Sequence, residues 1–185
     1  LRVTAEDRGK GLFKERQEDG YDAIMTNEKD VVLVGFSADC VLIYFYDKVK
    51  NAIAIAHSGW RGTVLGIGGK VVKRMKEEFG SNPEDIVCGI APAIGVDHFQ
   101  VDIPVVTAFR QAYDWADKFI YPDENMAERW FIDLHSINEE ILVNEGIKRE
   151  NIENSRICTQ CDPDRFFSHR VMGAKRGTLA GFMSL

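Results

Sequence analysis

The sequence lacks a long apolar run, a basic excess and a regular cysteine pattern. No apolar run approaches the roughly 20 residues that a membrane-spanning helix needs, and no signal-peptide pattern occurs. The net charge of -6 is unlike a protein that binds nucleic acid, since a phosphate-binding face usually adds an excess of Lys and Arg. The four cysteines are irregularly spaced, which is typical of a reducing compartment. These absences favour a cytoplasmic protein that binds neither membranes nor nucleic acid.

The sequence does contain enough chain for one substantial core. Its 185 residues, 45% hydrophobic and 28% charged, predict a single globular domain over residues 1–185. The chain starts at Leu1 and not at a methionine, and its first twenty residues are polar and rich in charge. Either this segment is a disordered leader or the natural protein continues upstream.

Apolar periodicity predicts strands and helices in irregular alternation. Strands are predicted at 31–36, 41–47, 52–58, 86–91, 98–102, 130–134, 154–158, 165–171 and 178–185, and helices from residue 63 to Gly80, at 103–113 and at 135–147. The strands at 41–47 and 52–58 are separated by a short polar turn and predict a hairpin. Frequent hairpins favour an α+β fold, with mixed β-sheets and flanking helices, over a doubly wound one.

Cys40 and His57 lie at the ends of apolar strands, next to small or turn residues, where side chains can face a cleft. A thiolate and an imidazole are good ligands for zinc or copper, and a catalytic zinc site uses three protein ligands and one open position. Asp39, beside the cysteine, could support such a site. The same pair could instead be a cysteine nucleophile with its histidine base, or two unrelated buried residues. Spacing alone leaves all three interpretations open.

Two arginines are candidates for binding a substrate anion. Arg61 follows Trp60 and lies between two glycines, which allow close approach of a ligand to the backbone, and its planar fork suits phosphate or carboxylate. Arg170 is the second candidate. An ordinary ion pair with a surface carboxylate is the alternative for both residues.

Several other motifs favour structural roles. CTQC at 158–161 is followed by no helix, which a redox motif would need, and by no second cysteine pair, which a structural zinc site would need. We therefore predict two free thiols in a turn, with no bound zinc. GIGGK at 66–70 lacks phosphate-loop spacing and predicts close helix packing. The histidines at 98, 135 and 169 are isolated in sequence and are predicted to be structural or exposed.

Taken together, these blocks resemble the YfiH-type family, once called multicopper polyphenol oxidases or laccases. The blocks are, in order, SADC, AHSGWRG, IAPAIG, FQVD, ICTQC, DPDRFFSHR and GTLAGF. The resemblance runs from about Asp19 to the C-terminus, and its H-x-G-W-R-G element is the most specific part. It implies the layered α+β fold of that family.

The resemblance also implies a metal site. Members hold one metal, usually zinc, with two histidines and a cysteine, and Cys40 and His57 match two of these ligands. The remaining histidine belongs to a motif that would precede Leu1. We therefore expect the domain at 1–185 to lack an N-terminal portion that carries the third ligand.

The function that the resemblance implies is purine nucleoside chemistry with nucleoside and phosphate as partners. Members are associated with phosphorolysis of adenosine, inosine and methylthioadenosine, and with deamination of adenosine. The implied catalytic residues are Cys40 and His57, and Arg61 and Arg170 are the candidate substrate-binding residues. One alternative is a copper-dependent polyphenol oxidase, although four scattered histidines are too few to hold several coppers. The other alternative is a non-catalytic, metal-stabilised binding domain.

Overall fold

A computed structural model describes residues 1–15 and 20–185 and contains three sheets and five α-helices within them. Part of the polar segment at 1–20, residues 16–19, lies outside the described residues. The strands are β1 (Ala23–Thr26), β2 (Leu33–Ser37), β3 (Val41–Asp47), β4 (Ala52–Ser58), β5 (Ile86–Ile90), β6 (Gln100–Val101), β7 (Ile120–Pro122), β8 (Trp130–Ile132), β9 (Ile152–Asn154) and β10 (Leu179–Met183). The helices are α1 (Trp60–Val64), α2 (Ile67–Phe79), α3 (Ile103–Ala112), α4 (Leu134–Asn144) and α5 (His169–Met172). The predicted α+β class is confirmed.

The largest sheet has the strand order β1-β4-β3-β5-β9 and is antiparallel except for the parallel β5–β9 pair. The predicted hairpin is confirmed, because β3 and β4 pair along their whole length. Both strands also begin and end at the predicted residues. Asp47 closes the turn by accepting hydrogen bonds from the backbone N–H groups of Val49 and Lys50, at 2.8 and 2.9 Å. Sheets β2–β10 and β6–β8–β7 are smaller and also antiparallel.

The central sheet is buried on both faces, which explains why the Ala52–Ala56 run is apolar throughout. Ile53 and Ile55 pack with Leu33 of β2, whereas the alternate alanines of β4 join the larger core beside α2 and α4. Because side chains alternate along a strand, His57 extends the face of Ile53 and Ile55. This alternation brings the histidine to the edge of the layer formed by β2 and β10.

The glycines of GIGGK allow the close packing that the sequence predicts. A Cβ on Gly68 would lie 3.3 Å from Leu142 of α4 and 3.4 Å from Ile43 of β3, so the helix approaches both elements closely. The prediction of a single helix from residue 63 is wrong, because the structure has two helices there. Gly66 adopts a left-handed conformation (φ 67°), which separates α1 from α2.

The C-terminal part differs from two sequence predictions. Residues 165–171 are not a strand: Ser168 caps the short helix α5 by accepting a hydrogen bond from the backbone N–H of Val171. The strand predicted at 154–158 instead ends at Asn154, and Cys158 forms only an isolated bridge with Ala93. Within the described residues, no helix combines the length and apolar character needed to cross a membrane.

Candidate active site

Cys40 and His57 converge on Gly59. Cys40 immediately precedes β3, and Leu42, the second residue of β3, lies opposite His57 of β4. Cys40 is therefore close to the histidine end of the hairpin. A Cβ built on Gly59 would lie 3.1 Å from Cys40 Sγ and 3.6 Å from His57 Cε1. The hairpin therefore brings the two predicted ligands to one corner, where both side chains are partly exposed. Their binding of a metal remains a prediction.

Asp22 is a residue of this corner that sequence reasoning missed. Its Oδ1 lies 3.3 Å from His57 Nδ1, and its backbone carbonyl accepts the backbone N–H of His57 at 2.7 Å. A carboxylate that accepts the Nδ1 proton leaves Nε2 with its lone pair, which is the usual support for a metal-binding histidine. The segment before β1 shows no periodicity that would reveal this contact.

The environment of Cys40 is unlike that of a reactive cysteine. Burial raises the pKa of the Cys40 thiol, and the charge of Asp39 raises it further, whereas Arg176 acts in the opposite direction. Cysteine nucleophiles instead sit where the pKa is lowered by positive partners. The nucleophile interpretation therefore has less support than the ligand interpretation, in which a metal displaces the thiol proton.

Asp39 is a buried junction between distant segments. One of its carboxylate oxygens accepts a hydrogen bond from Thr159 Oγ1 at 2.7 Å, and the other accepts bonds from Ser168 Oγ at 3.1 Å and the backbone N–H of Arg170 at 2.7 Å. Its φ of 80° is left-handed, a region in which Asp is more frequent than most residues. Asp39 thus fixes the C-terminal segment beside Cys40 instead of contacting the histidine.

A second polar network anchors the turn that follows β4. Ser58 Oγ lies 3.0 Å from Thr63 Oγ1 and donates to Asn138 Oδ1 at 2.8 Å, and the Asn138 amide donates to Thr63 Oγ1 at 3.2 Å. All three side chains are fully buried. Because buried polar groups that satisfy one another stabilise one geometry, this network fixes α1 with Trp60 and Arg61 at its start.

An open cleft of about 370 Å³ is lined in part by Trp60, which follows Gly59, and not by Cys40 or His57. Its lining residues are Trp60, Phe99, Gln100, Val101, Asp102, Val105, Arg129 and Arg170. The volume lies within the range of small-molecule sites, and the lining combines aromatic rings with two cations. Arg170 lines this cleft from α5 and not from a strand, and its binding of a substrate anion remains a prediction.

The two predicted arginines have different surroundings. The Arg170 guanidinium donates to the backbone carbonyls of His98 at 3.2 Å and Gln100 at 3.3 Å, and its five N–H groups leave donors for a ligand. Arg61 is exposed, and its guanidinium stacks 4.3 Å from the Trp60 ring centroid. In the described part of the chain, neither arginine forms an ion pair with a carboxylate.

The isolated histidines have three different environments. His135 is buried against Asn154, and His169 contacts Arg176, so both fit the predicted structural or exposed roles. His98 differs, because its Nδ1 lies 3.5 Å from Cys158 Sγ and 3.6 Å from Cys161 Sγ. Cys158 and Cys161 lie in a turn and form no disulfide, as predicted. The sequence analysis considered only a second cysteine pair as a partner for CTQC, and it did not foresee that His98 lies beside both thiols.

The sequence comparisons identify the family of this chain. A family model described as multi-copper polyphenol oxidoreductase laccase matches residues 2–185. The chain belongs to this family. The resemblance drawn from its motifs is therefore confirmed.

Characterised relatives of the family carry the names of nucleoside enzymes. The chain is 38% identical over 185 residues to purine nucleoside phosphorylase YlmD of Bacillus subtilis, covering 100% of this chain and 66% of that protein. It is 33% identical over 178 residues to adenosine deaminase RL5 of an unknown prokaryotic organism, covering 95% of this chain and 67% of the relative. The chain thus spans just under two thirds of the length of YlmD.

The fold agrees with a solved structure of the same family. The crystal structure of the hypothetical protein YfiH of Bacillus licheniformis superimposes with a TM-score of 0.94 at 35% identity, covering 100% of this chain and 69% of the solved one. The layered α+β arrangement is therefore that of YfiH.

Proposed function

We propose that this chain forms the metal-binding and substrate-binding part of a zinc-dependent purine nucleoside enzyme. The proposed reactions are phosphorolysis of adenosine, inosine and methylthioadenosine, and deamination of adenosine. The observation that carries the proposal is the cleft lined by aromatic residues and arginines, whose lining residue Trp60 directly follows Gly59 of the Cys40–His57 corner. The names of YlmD and RL5 support the same choice of substrate class.

The cleft suits the parts of a nucleoside. Trp60 lines the cleft, and aromatic side chains stack on nucleobases in other proteins. Phe99 is buried in the core beneath Arg170 and adds an apolar wall. Arg170 and Arg129 supply positive charge at the same cleft for a phosphate. Arg61 is a third cation, which stacks on the lining residue Trp60 without itself lining the cleft.

The donors at the corner fit a zinc ion. Cys40 and His57 would supply sulfur and nitrogen, which are preferred zinc ligands, and Asp22 would hold the histidine with Nε2 available. Within residues 1–15 and 20–185, no third His, Cys, Asp or Glu completes this pair. When bound, such an ion supplies Lewis-acid chemistry at an oxygen of substrate or water. The chain's own task is to orient the nucleoside and phosphate beside that position.

Product analysis tests the proposal. The intact protein is incubated with adenosine, with and without phosphate. Adenine formed only with phosphate identifies phosphorolysis, and inosine formed in either condition identifies deamination. A folded, metal-loaded protein that yields neither product would contradict the proposed function.

Two variants test the metal pair within this function. Cys40→Ala and His57→Ala are each expected to abolish bound zinc and turnover while the circular dichroism spectrum is retained. Cys88→Ala is the matched control, because it removes a buried thiol of β5 that belongs to the core. Variants at Cys40 and His57 that stay active and zinc-loaded would remove both residues from the site.

The second candidate is a copper-dependent phenol oxidase, which the description of the family favours. Metal analysis of the purified protein separates the two candidates. Zinc with no oxygen uptake on phenolic substrates supports the nucleoside enzyme, whereas several redox-active coppers with oxygen uptake support the oxidase.

A further inference from the structure

A second group of metal-binding side chains lies outside the proposed nucleoside site. His98, Cys158 and Cys161 place one donor atom each within 4.8 Å of one another. They come from the loop before β6 and from the turn after β9, about 60 residues apart in sequence. Nothing in the proposed nucleoside chemistry uses them.

The distances match those of a zinc site. With Zn–S of about 2.3 Å and Zn–N of about 2.0–2.1 Å, a tetrahedral ion sets its sulfur and nitrogen ligands about 3.6 Å apart. The two Sγ–Nδ1 distances are 3.5 and 3.6 Å, for Cys158 and Cys161 respectively. Both cysteines are free thiols, so both sulfurs are available as ligands.

The backbone holds this arrangement independently of any ion. Ala93 pairs with the segment around Cys158, through its N–H to Ile157 at 3.1 Å and its carbonyl to the N–H of Thr159 at 2.9 Å. The Gly95 N–H donates to Cys158 Sγ at 3.2 Å. Hydrogen bonds of this kind support metal-bound ligands in known sites.

Gly95 also indicates how tightly the two loops approach. A Cβ on this residue would lie 3.0 Å from Cys158 Cβ and 3.2 Å from its Sγ. The φ of Gly95 is -76°, so the residue is needed for space and not for an unusual backbone conformation. A side chain at position 95 would therefore displace Cys158 and its sulfur.

We propose that His98, Cys158 and Cys161 bind a zinc ion, with the fourth position open to water at the exposed side of Cys161. The ion joins the loop at 95–98 to the turn at 158–161. It thereby stabilises the turn in which the Thr159 hydroxyl donates a hydrogen bond to Asp39. This ion takes no part in the proposed reaction, and the proposal reverses the sequence prediction that CTQC binds no zinc.

The test isolates the second site by first removing the other candidate pair. In a Cys40→Ala/His57→Ala background, the reduced protein is titrated with zinc, and with Co²⁺, whose thiolate charge-transfer absorption reports sulfur ligands. One equivalent of zinc is expected to bind, with an increase in melting temperature. Adding Cys161→Ser or His98→Ala is expected to weaken zinc binding by about 100-fold or more, because a three-ligand site then has only two ligands.

Two further variants keep the test decisive. His98→Cys replaces the nitrogen donor with sulfur, and it is expected to restore part of the zinc affinity that His98→Ala removes. Cys88→Ala is the control and is expected to bind zinc as its parent does, since its thiol lies in the core. The proposal is overturned if the background protein binds no zinc, if His98→Ala binds as tightly as its parent, or if zinc fails to prevent a Cys158–Cys161 disulfide from forming.

Discussion

The two groups of cysteine and histidine are built in different ways. Cys40 and His57 are brought together by the β3–β4 hairpin, whose register decides which side chains share a face. His98, Cys158 and Cys161 are brought together by loops that meet through a single backbone bridge at Ala93. A hairpin predicted from two apolar runs limits which residues can meet at its open end, whereas a group set by meeting loops needs the tertiary structure.

Asp39 connects the two groups, and its removal is expected to have the largest effect. Asp39→Ala leaves the donors of Thr159, Ser168 and Arg170 without their carboxylate and puts alanine at a positive φ. We expect a loss of about 3 kcal/mol in the free energy of unfolding, measured by urea denaturation. Both metal sites should weaken together.

The amide substitution Asp39→Asn separates the two causes of that loss. It tolerates the positive φ and keeps one acceptor oxygen, so it should destabilise the protein less than Asp39→Ala does. Equal stability of the alanine variant and the parent would show that Asp39 does not join the two groups.

Two glycines allow each group to be perturbed separately. Gly59→Ala directs a Cβ to 3.1 Å from Cys40 Sγ, and Gly95→Ala directs one to 3.0 Å from Cys158 Cβ. We expect Gly59→Ala to lower nucleoside turnover by about 100-fold, because small displacements of catalytic groups are costly. Gly95→Ala should instead weaken zinc binding in the Cys40→Ala/His57→Ala background.

The matched control is Gly89→Ala, whose Cβ would meet Tyr44 at an ordinary 3.7 Å. It should leave both zinc binding and turnover close to those of the parent. If Gly59→Ala and Gly95→Ala had the same effect on both measurements, the two groups would not be separate sites.

These particular residues show what the sequence could predict. The apolar runs at 41–47 and 52–58 predicted both strands to their ends, whereas the pairing of Cys40 with His57 was implied only by the family resemblance. The strand predicted around Arg170 was wrong, because Ser168 bonds to Asp39 and caps α5, a tertiary effect that apolar periodicity does not contain. Proximity of His98 to CTQC depends on chain folding over many residues, so spacing gave no signal for it.

Asp22 tests how the hairpin histidine is oriented. Asp22→Asn keeps the size of the side chain but removes its charge beside His57 Nδ1. We expect the zinc affinity of the Cys40–His57 pair to fall by about 10-fold. This is the lower end of the effects known for residues that orient a metal ligand, because the Asp22 side chain is largely exposed. The His98 group should bind zinc unchanged in the same protein, and a loss at both sites would indicate a general defect in folding.

Arg61 is expected to give the smallest effect, confined to the nucleoside site. Its stack on Trp60 fixes the guanidinium near the cleft, and Arg61→Lys keeps the positive charge while losing the planar fork. We expect kcat/KM for phosphorolysis to fall by about 10-fold, mainly through a higher KM for phosphate, since a lysine contacts phosphate as a point charge. Lys73→Arg is the control, because this exposed residue of α2 pairs with Glu145 and lies outside the lining of the cleft. Unchanged phosphate dependence in Arg61→Lys would remove Arg61 from the anion site and leave Arg170 and Arg129 as its cations.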